Sequence, residues 1–254
     1  MAVEYREYSP PVDLQGAVAC LWERMSAGGQ QLIVPDGCVD LIWLAERELV
    51  IAGPDTGPRT VWLPAGSRSS GLRLRPGAAG GFLGRPASEV RNCQVNADDV
   101  FGQEATRLAE RLAAASPTDR LRLLAHVVRR RQVTPDPVVT AAACWLGRPD
   151  ARIATVAAGL GISERQLHRR TLAAVGYAPK VLARVLRLCR LTRGPGPTLA
   201  ERALEAGYAS QAHMSDEVRA LTGLSPSRYL VRFMEDPPPA DLQHGRHACR
   251  RSCR

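Results

Sequence analysis

Residues 153–170, IATVAAGLGISERQLHRR, and residues 199–216, LAERALEAGYASQAHMSD, carry one pattern twice. In the first copy Ala157, Gly161 and Leu167 stand at offsets of 0, +4 and +10. That spacing suits two helices meeting at a tight turn. A small residue lets the first helix come close, a glycine takes the left-handed turn, and an apolar residue seats the second helix in a core. Ile153, Val156, Ala157 and Leu160 share one face of the first helix, and Ser163 predicts the N-cap of the second. In the second copy Leu199, Ala203, Gly207 and Tyr208 repeat Ile153, Ala157, Gly161 and Ile162. Ser210 is the matching cap, Met214 points inward, and Val218 and Leu221 continue the buried face. Between the copies, residues 178–193 form a long helix opened by Pro179, with Val181, Leu182, Val185, Leu186 and Leu188 along its apolar stripe. Gly194-Pro195-Gly196-Pro197 ends it, and Thr198 caps the helix that opens the second copy.

The duplicated stretch resembles the DNA-binding domain of AraC/XylS-family transcription regulators. The resemblance rests on residues 157–163, AAGLGIS, residues 176–179, GYAP, residues 203–208, ALEAGY, and the closing residues 222–229, TGLSPSRY. Three positions depart from the family: Thr171 and Met214 stand where Phe is usual, and Asp216 stands where Arg is common. The resemblance implies two reading helices set about one DNA turn apart, near 34 Å. It places Arg165, His168, Arg169 and Arg170 on the first reading helix, Arg184 as a phosphate contact, and Gln211, Ala212, His213, Ser215 and Asp216 on the second. Arg165, His168 and Arg169 lie at i, i+3 and i+4 and so share a face. Arginine can grip guanine through two hydrogen bonds, glutamine can pair with adenine, and Asp216 can accept from a cytosine amino group. Arg187 and Arg190 are expected to brace the core.

Charge placement agrees with this reading. The net charge is +9, yet residues 1–144 hold 16 Arg against 16 Asp and Glu. Residues 145–235 hold 14 Lys and Arg against 7 Asp and Glu, and residues 236–254 hold four Arg against two Asp. A general preference for arginine does not segregate charge in this way; a phosphate-facing surface does. No stretch of about 18 apolar residues appears, so no membrane span is expected, and Met1 to Pro10 has no apolar block of the kind a secretion signal carries. The seven cysteines, Cys20, Cys38, Cys93, Cys144, Cys189, Cys249 and Cys253, form no CxxC pair and are read as reduced cytoplasmic thiols.

The first half reads as strands between turn formers: Val3–Tyr8, Val18–Arg24, Gln31–Val34, Val39–Leu44, Leu49–Ala52, Thr60–Leu63 and Gly71–Arg75. Close-spaced short strands suggest a small barrel or sandwich, which in AraC-type relatives is commonly an effector sensor. Residues 34–43, VPDGCVDLIW, look like a sensor subtype. Asp36, Cys38 and Asp40 alternate and so share a strand face. They are candidates for effector binding, weighed against a tight turn in which Asp caps the backbone. The absence of histidine from residues 1–125 argues against a cupin metal centre. Trp22, Trp43 and Trp62 are expected in the core. Residues 77–84 are read as a flexible Gly-rich turn. Helices start at Asp98, at Ser116-Pro117 and within Thr134 to Pro137. Their stripe would permit dimerisation, and Arg129-Arg130-Arg131 is read as a solvated helix end. In the tail, His244, His247, Cys249 and Cys253 fit no common zinc spacing, and disorder is expected there.

The expected architecture is α+β. A small β-barrel or sandwich-like domain with following helices precedes an all-α domain of two helix-turn-helix units joined by a long helix. The expected units are 1–97, sensor; 98–147, linker helices; 148–235, DNA-binding; and 236–254, basic tail. The expected function is a sequence-specific DNA-binding transcription regulator with no enzymatic activity, no cofactor and no metal. Its expected partners are double-stranded DNA, an unidentified small-molecule effector, RNA polymerase and a second copy of the chain. The alternative is a cysteine-dependent DNA repair methyltransferase fused to the same reading module.

Overall fold

A computed structural model describes residues 4–192 and 198–235. The chain begins with seven strands: β1 Glu4–Tyr8, β2 Val18–Met25, β3 Gly29–Ile33, β4 Val39–Leu44, β5 Glu48–Ala52, β6 Arg59–Leu63 and β7 Arg68–Leu74. An eighth, β8 Gln94–Asn96, was not expected; at three residues it is too short to show a period. Strands β1-β2-β7-β4-β5-β8 form one antiparallel sheet, while β3 pairs only with β6. The larger sheet is buried on both faces, which is why β2 and β4 read as nearly unbroken apolar runs.

Each face has its own partner. Leu21, Leu41, Trp43, Ile51, Leu72 and Leu74 point into a core shared with four helices of the same half. Those helices are α1 Ala79–Leu83, α2 Ala97–Phe101, α3 Gln103–Ala114 and α4 Pro117–Arg130. The opposite face carries Cys20, Trp22, Ile42 and Val50, with Tyr5, Leu44 and Ala52 beside them.

Several expectations change here. The Gly-rich join contains α1, whose Gly80 lies so close to the C-terminal domain that an added Cβ would fall 2.8 Å from Ala173 O. The glycines serve a close approach there, not a flexible turn. The helix expected from Asp98 is two helices, broken at Gly102 (φ 55, ψ −139). The stripe on α3 and α4 is spent on the sheet: Leu108, Leu112, Leu121, Leu124 and Val128 are all buried in the first core. It therefore offers no face to a second copy. Nor is the 129–131 run merely solvated. Arg129 donates to both Asp13 oxygens at 2.6 and 2.9 Å, and Arg131 donates to Phe82 O at 3.2 Å and Glu104 at 2.8 Å while stacking on Phe101 at 3.7 Å. Of the three, Arg130 alone makes no side-chain hydrogen bond or ion pair among the described residues. Trp43 is buried as expected, but Trp62, on the two-stranded β3–β6 sheet, is 66% exposed.

The second core belongs to the C-terminal helices: α5 Pro137–Leu146, α6 Ile153–Gly159, α7 Glu164–Val175, α8 Pro179–Leu191, α9 Leu199–Glu205, α10 Gln211–Thr222 and α11 Pro226–Glu235. Helix α5, grouped by sequence with the linker, packs its Val139, Ala142 and Leu146 among these helices. Local signals set the helix starts. Ser163 and Gln166 form a reciprocal capping box at α7, as do Thr198 and Glu201 at α9, and the Ser210 hydroxyl accepts from His213 N at 3.1 Å. Gly161 (φ 67) and Gly207 (φ 82) make the two turns. Thr171, where an aromatic was expected from the family, is fully buried. Residues 194–197 and the tail, including His244, His247, Cys249 and Cys253, lie outside the described residues.

Candidate nucleic-acid interface and cavity

Helix α7 turns Leu167 into the core at 0% exposure. Arg165, Gln166, His168 and Arg169 are exposed on its other side. Among the described residues no hydrogen bond or ion pair holds Arg165, His168 or Arg169, so all three side chains can reach outward.

Arg170 is different. Its Nε and Nη2 donate to the two Asp136 oxygens at 2.8 and 2.7 Å, which withdraws it from the set expected to meet DNA. Asp136 also caps α5, accepting from Val138 N at 2.9 Å and Val139 N at 3.1 Å. Burial pushes the Asp136 carboxyl upward, but Arg170 and the two amides more than reverse that and hold it below its ordinary value. Arg184 is likewise turned inward. It and Arg187 share Glu217 of α10, at 3.2 and 2.9 Å, and the Arg187 guanidinium lies over Tyr208 at 5.3 Å. Arg190 donates to Ala206 O and to Gly147 O. Sequence reasoning passed over Glu217, the acceptor that ties α8 to α10. Its one local trace is the i, i+4 spacing from His213, whose Nε2 lies 3.4 Å from it.

On α10, Gln211, Ala212 and Asp216 are exposed. His213 and Ser215 are half-buried and engaged within the helix. His213 Nδ1 accepts from Ala209 N at 3.3 Å and its ring meets Tyr208 edge-on, while the Ser215 hydroxyl donates to Gln211 O at 2.9 Å. Both brace the helix start. The outward set is therefore richer in cations on α7 than on α10.

A cavity of about 200 Å3 lies between the larger sheet and the ends of α8 and α11. Its floor is the second face of the large sheet, with Trp22, Asp40, Ile42 and Arg73. One wall is the β3–β6 sheet, and its roof is Cys189, Thr192, Tyr229, Arg232 and Phe233 from the ends of α8 and α11. The cavity thus belongs to both halves of the chain. Arg73 donates from Nε and Nη2 to Asp40 at 3.0 and 2.8 Å and pairs with Asp36 at 3.3 Å. Its Nη1 is buried with no acceptor among the described residues. Burial pushes the Asp40 carboxyl up to about 6, with Arg73 opposing and Asp36 adding to the rise.

Of the three effector candidates, Asp36 and Asp40 line this cavity and Cys38 does not. Asp36 also makes the tight turn, accepting from Cys38 N at 2.9 Å. Cys38 is buried, and desolvation raises its thiol well above the ordinary value. Burial thus disfavours the thiolate form that a cysteine nucleophile uses. Among the described residues no group of three His, Cys, Asp or Glu side chains is placed to hold a metal ion, and no helix is long and apolar enough to cross a membrane.

Two families match the chain. Residues 156–232 match a helix-turn-helix domain, and residues 6–96 match a domain of unknown function (DUF6597). No curated protein matches. Among solved structures, the chain is similar to ToxT from Vibrio cholerae O395, at 10% identity and a TM-score of 0.46 over 93% of this chain and 99% of that one. It is also similar to unsaturated fatty acid-bound ToxT from Vibrio cholerae strain SCE256, at 12% identity and a TM-score of 0.41 over 91% of this chain and 94% of that one.

Proposed function

We propose that this chain is a transcription regulator whose C-terminal helices are an AraC-type helix-turn-helix domain: α7 and α10 enter neighbouring major-groove segments, and the cavity shared by the two halves receives a small effector. The observation that carries the scheme is the division among the arginines of α7 and α8. Arg165 and Arg169 stand exposed beside His168, while Arg170, Arg184 and Arg187 are consumed by Asp136 and Glu217. A surface of merely solvated arginines would show no such sorting. The reading set becomes Arg165, His168 and Arg169 on α7, with Gln211, Ala212 and Asp216 on α10. The weaker charge of α10 fits a second half-site read with less affinity. The effector site is assigned to Asp36, Asp40, Arg73 and Trp22. A buried guanidinium donor without an acceptor favours a molecule that presents one, and α8 and α11 carry the effect of occupancy to the reading helices. The boundary between the two units falls before Asp136, with α5 in the second. No catalytic role is assigned.

The test is selection of bound sequences from random DNA with the full chain, followed by Arg165→Ala. Loss of a base-reading arginine should weaken specific binding by about 1–3 kcal/mol and relax preference at one position. An equal loss on every sequence would make Arg165 a phosphate contact and overturn its place in the set.

A further inference from the structure

The loop between β5 and β6, residues 53–58, touches both reading helices at corresponding points. Gly176 ends α7 in the left-handed conformation (φ 100), and a Cβ added there would fall 2.4 Å from Pro54 Cγ. Gly223 ends α10 in the same way (φ 72), and its Cβ would lie 3.6 Å from Pro58 Cγ. Between the two prolines, a Cβ on Gly57 would sit 3.7 Å from Ala220 O of α10. Pro54 thus packs against the C-terminal glycine of α7, and Pro58 lies beside that of α10 with room for little more than a methyl group between them. Four residues of chain reach at most ~14 Å, so the loop ties these two helix ends closely.

The loop is itself held from the sensor side. Gly53 N donates to Cys93 O at 2.9 Å, and Asn92 N donates to Pro54 O at 3.2 Å. Thr56 N and Oγ1 both donate to Asn92 Oδ1, at 2.7 and 3.0 Å, and Arg59 holds Asp55 at 3.3 Å. A Cβ on Gly53 would overlap Val90 O, at 1.7 Å. With two fixed φ angles and these ties, the segment is a stiff brace. Ala52 and Arg59, which bracket it, both line the cavity.

We propose that residues 53–58 set the separation and tilt of α7 against α10, and that Pro54 and Pro58 are positioning residues deciding which spacing between two half-sites is read. They act through Gly176 and Gly223, at the ends of the helices opposite the turns that carry Arg165 and Gln211, and so touch no base. This inference rests on the reading roles proposed for α7 and α10.

The experiment is competition binding of the full chain to a DNA panel in which the two half-sites, taken from the random selection, are moved apart or together one base pair at a time. The wild type should discriminate by about tenfold or more against a one-pair change, comparable to the loss of a base contact. The Pro54→Ala/Pro58→Ala variant should narrow this to about threefold, while affinity for a single half-site stays within about twofold. Asn92→Gly cuts the Thr56 tie, suits the left-handed backbone at Asn92 (φ 59), and touches neither reading helix. It should narrow the discrimination in the same direction, so the proposal stays testable if the double variant does not fold. Undiminished spacing preference in the folded variants would overturn it. A wild type that binds DNA but ignores spacing would also overturn it while leaving the DNA-reading scheme intact. A wild type that binds no DNA would sink that scheme and leave the brace nothing to position.

Discussion

Asp136 stands at a three-way junction, and replacing it with alanine should release two of the three arms. Its carboxylate caps α5 through two backbone amides and holds Arg170 of α7, while its own N–H donates to Gly77 O at 3.0 Å, just past β7. The backbone arm survives mutation. Loss of the cap costs about 1 kcal/mol. The Arg170 pair is bidentate, but Arg170 keeps 36% of its side-chain exposure, so solvent screening limits its share to about 0.5–1 kcal/mol. Asp136→Ala should therefore destabilise by about 1.5–2 kcal/mol, a fall in Tm of roughly 3–8 °C for a chain of this size. Asp136→Asn keeps a good N-cap and loses only the charged pair, so it should recover about 1 kcal/mol of that loss. The pH dependence comes from the depressed carboxyl. Its contribution is complete above the ordinary value of 3.8 and disappears as pH falls through the lower native value. The gap between wild type and Asp136→Asn should be equal at pH 7 and pH 5 and close only in stronger acid. Denaturant midpoints across that range provide the measurement. If asparagine destabilises as much as alanine, or alanine costs under about 0.5 kcal/mol, the junction is not what holds α5 to α7.

Other outcomes separate buried groups from exposed ones. Trp43→Ala should cost about 3–5 kcal/mol, whereas Trp62→Ala should stay within about 0.5 kcal/mol, and acrylamide should quench Trp62 first; equal losses would contradict the exposures of 2% and 66%. Asp40, pushed up to about 6 from 3.8, binds its proton more tightly in the native state than in the unfolded one. That contribution is fully present below 3.8, and stability falls as pH rises through 6. Asp40→Asn should flatten this slope, and a carboxyl that titrates by NMR near 4 would refute the assignment.

The helix-turn-helix pair was legible because its signals are local. Ser163, Ser210 and Thr198 cap within three residues of themselves, and the turn glycines stand at fixed offsets. The strands were legible for a related reason: burial on both faces makes most of β2 and β4 apolar, Asp40, Glu23 and Arg24 apart. Features that depend on a distant partner did not read. Arg170 and Arg169 are neighbours in sequence, yet one is exposed and the other bound, and the difference is Asp136, 34 residues away. Arg184 depends in the same way on Glu217, 33 residues on. Asp36 and Asp40 were singled out by their alternation. The arginine that binds them, Arg73, lies across the sheet on β7, and the roof over all three comes from helices more than a hundred residues later. Trp62 misled because a large aromatic on a strand is usually core, whereas this strand pairs only with β3.

The shared roof also limits how this architecture can be recombined. An N-terminal half transplanted onto a foreign C-terminal domain would lose Tyr229 and Phe233 and leave Trp22, Ile42 and Tyr5 facing water. The two halves must therefore diverge in step, and chimeras within this lineage should succeed only when the donor brings the ends of α8 and α11 along with the sheet they cover.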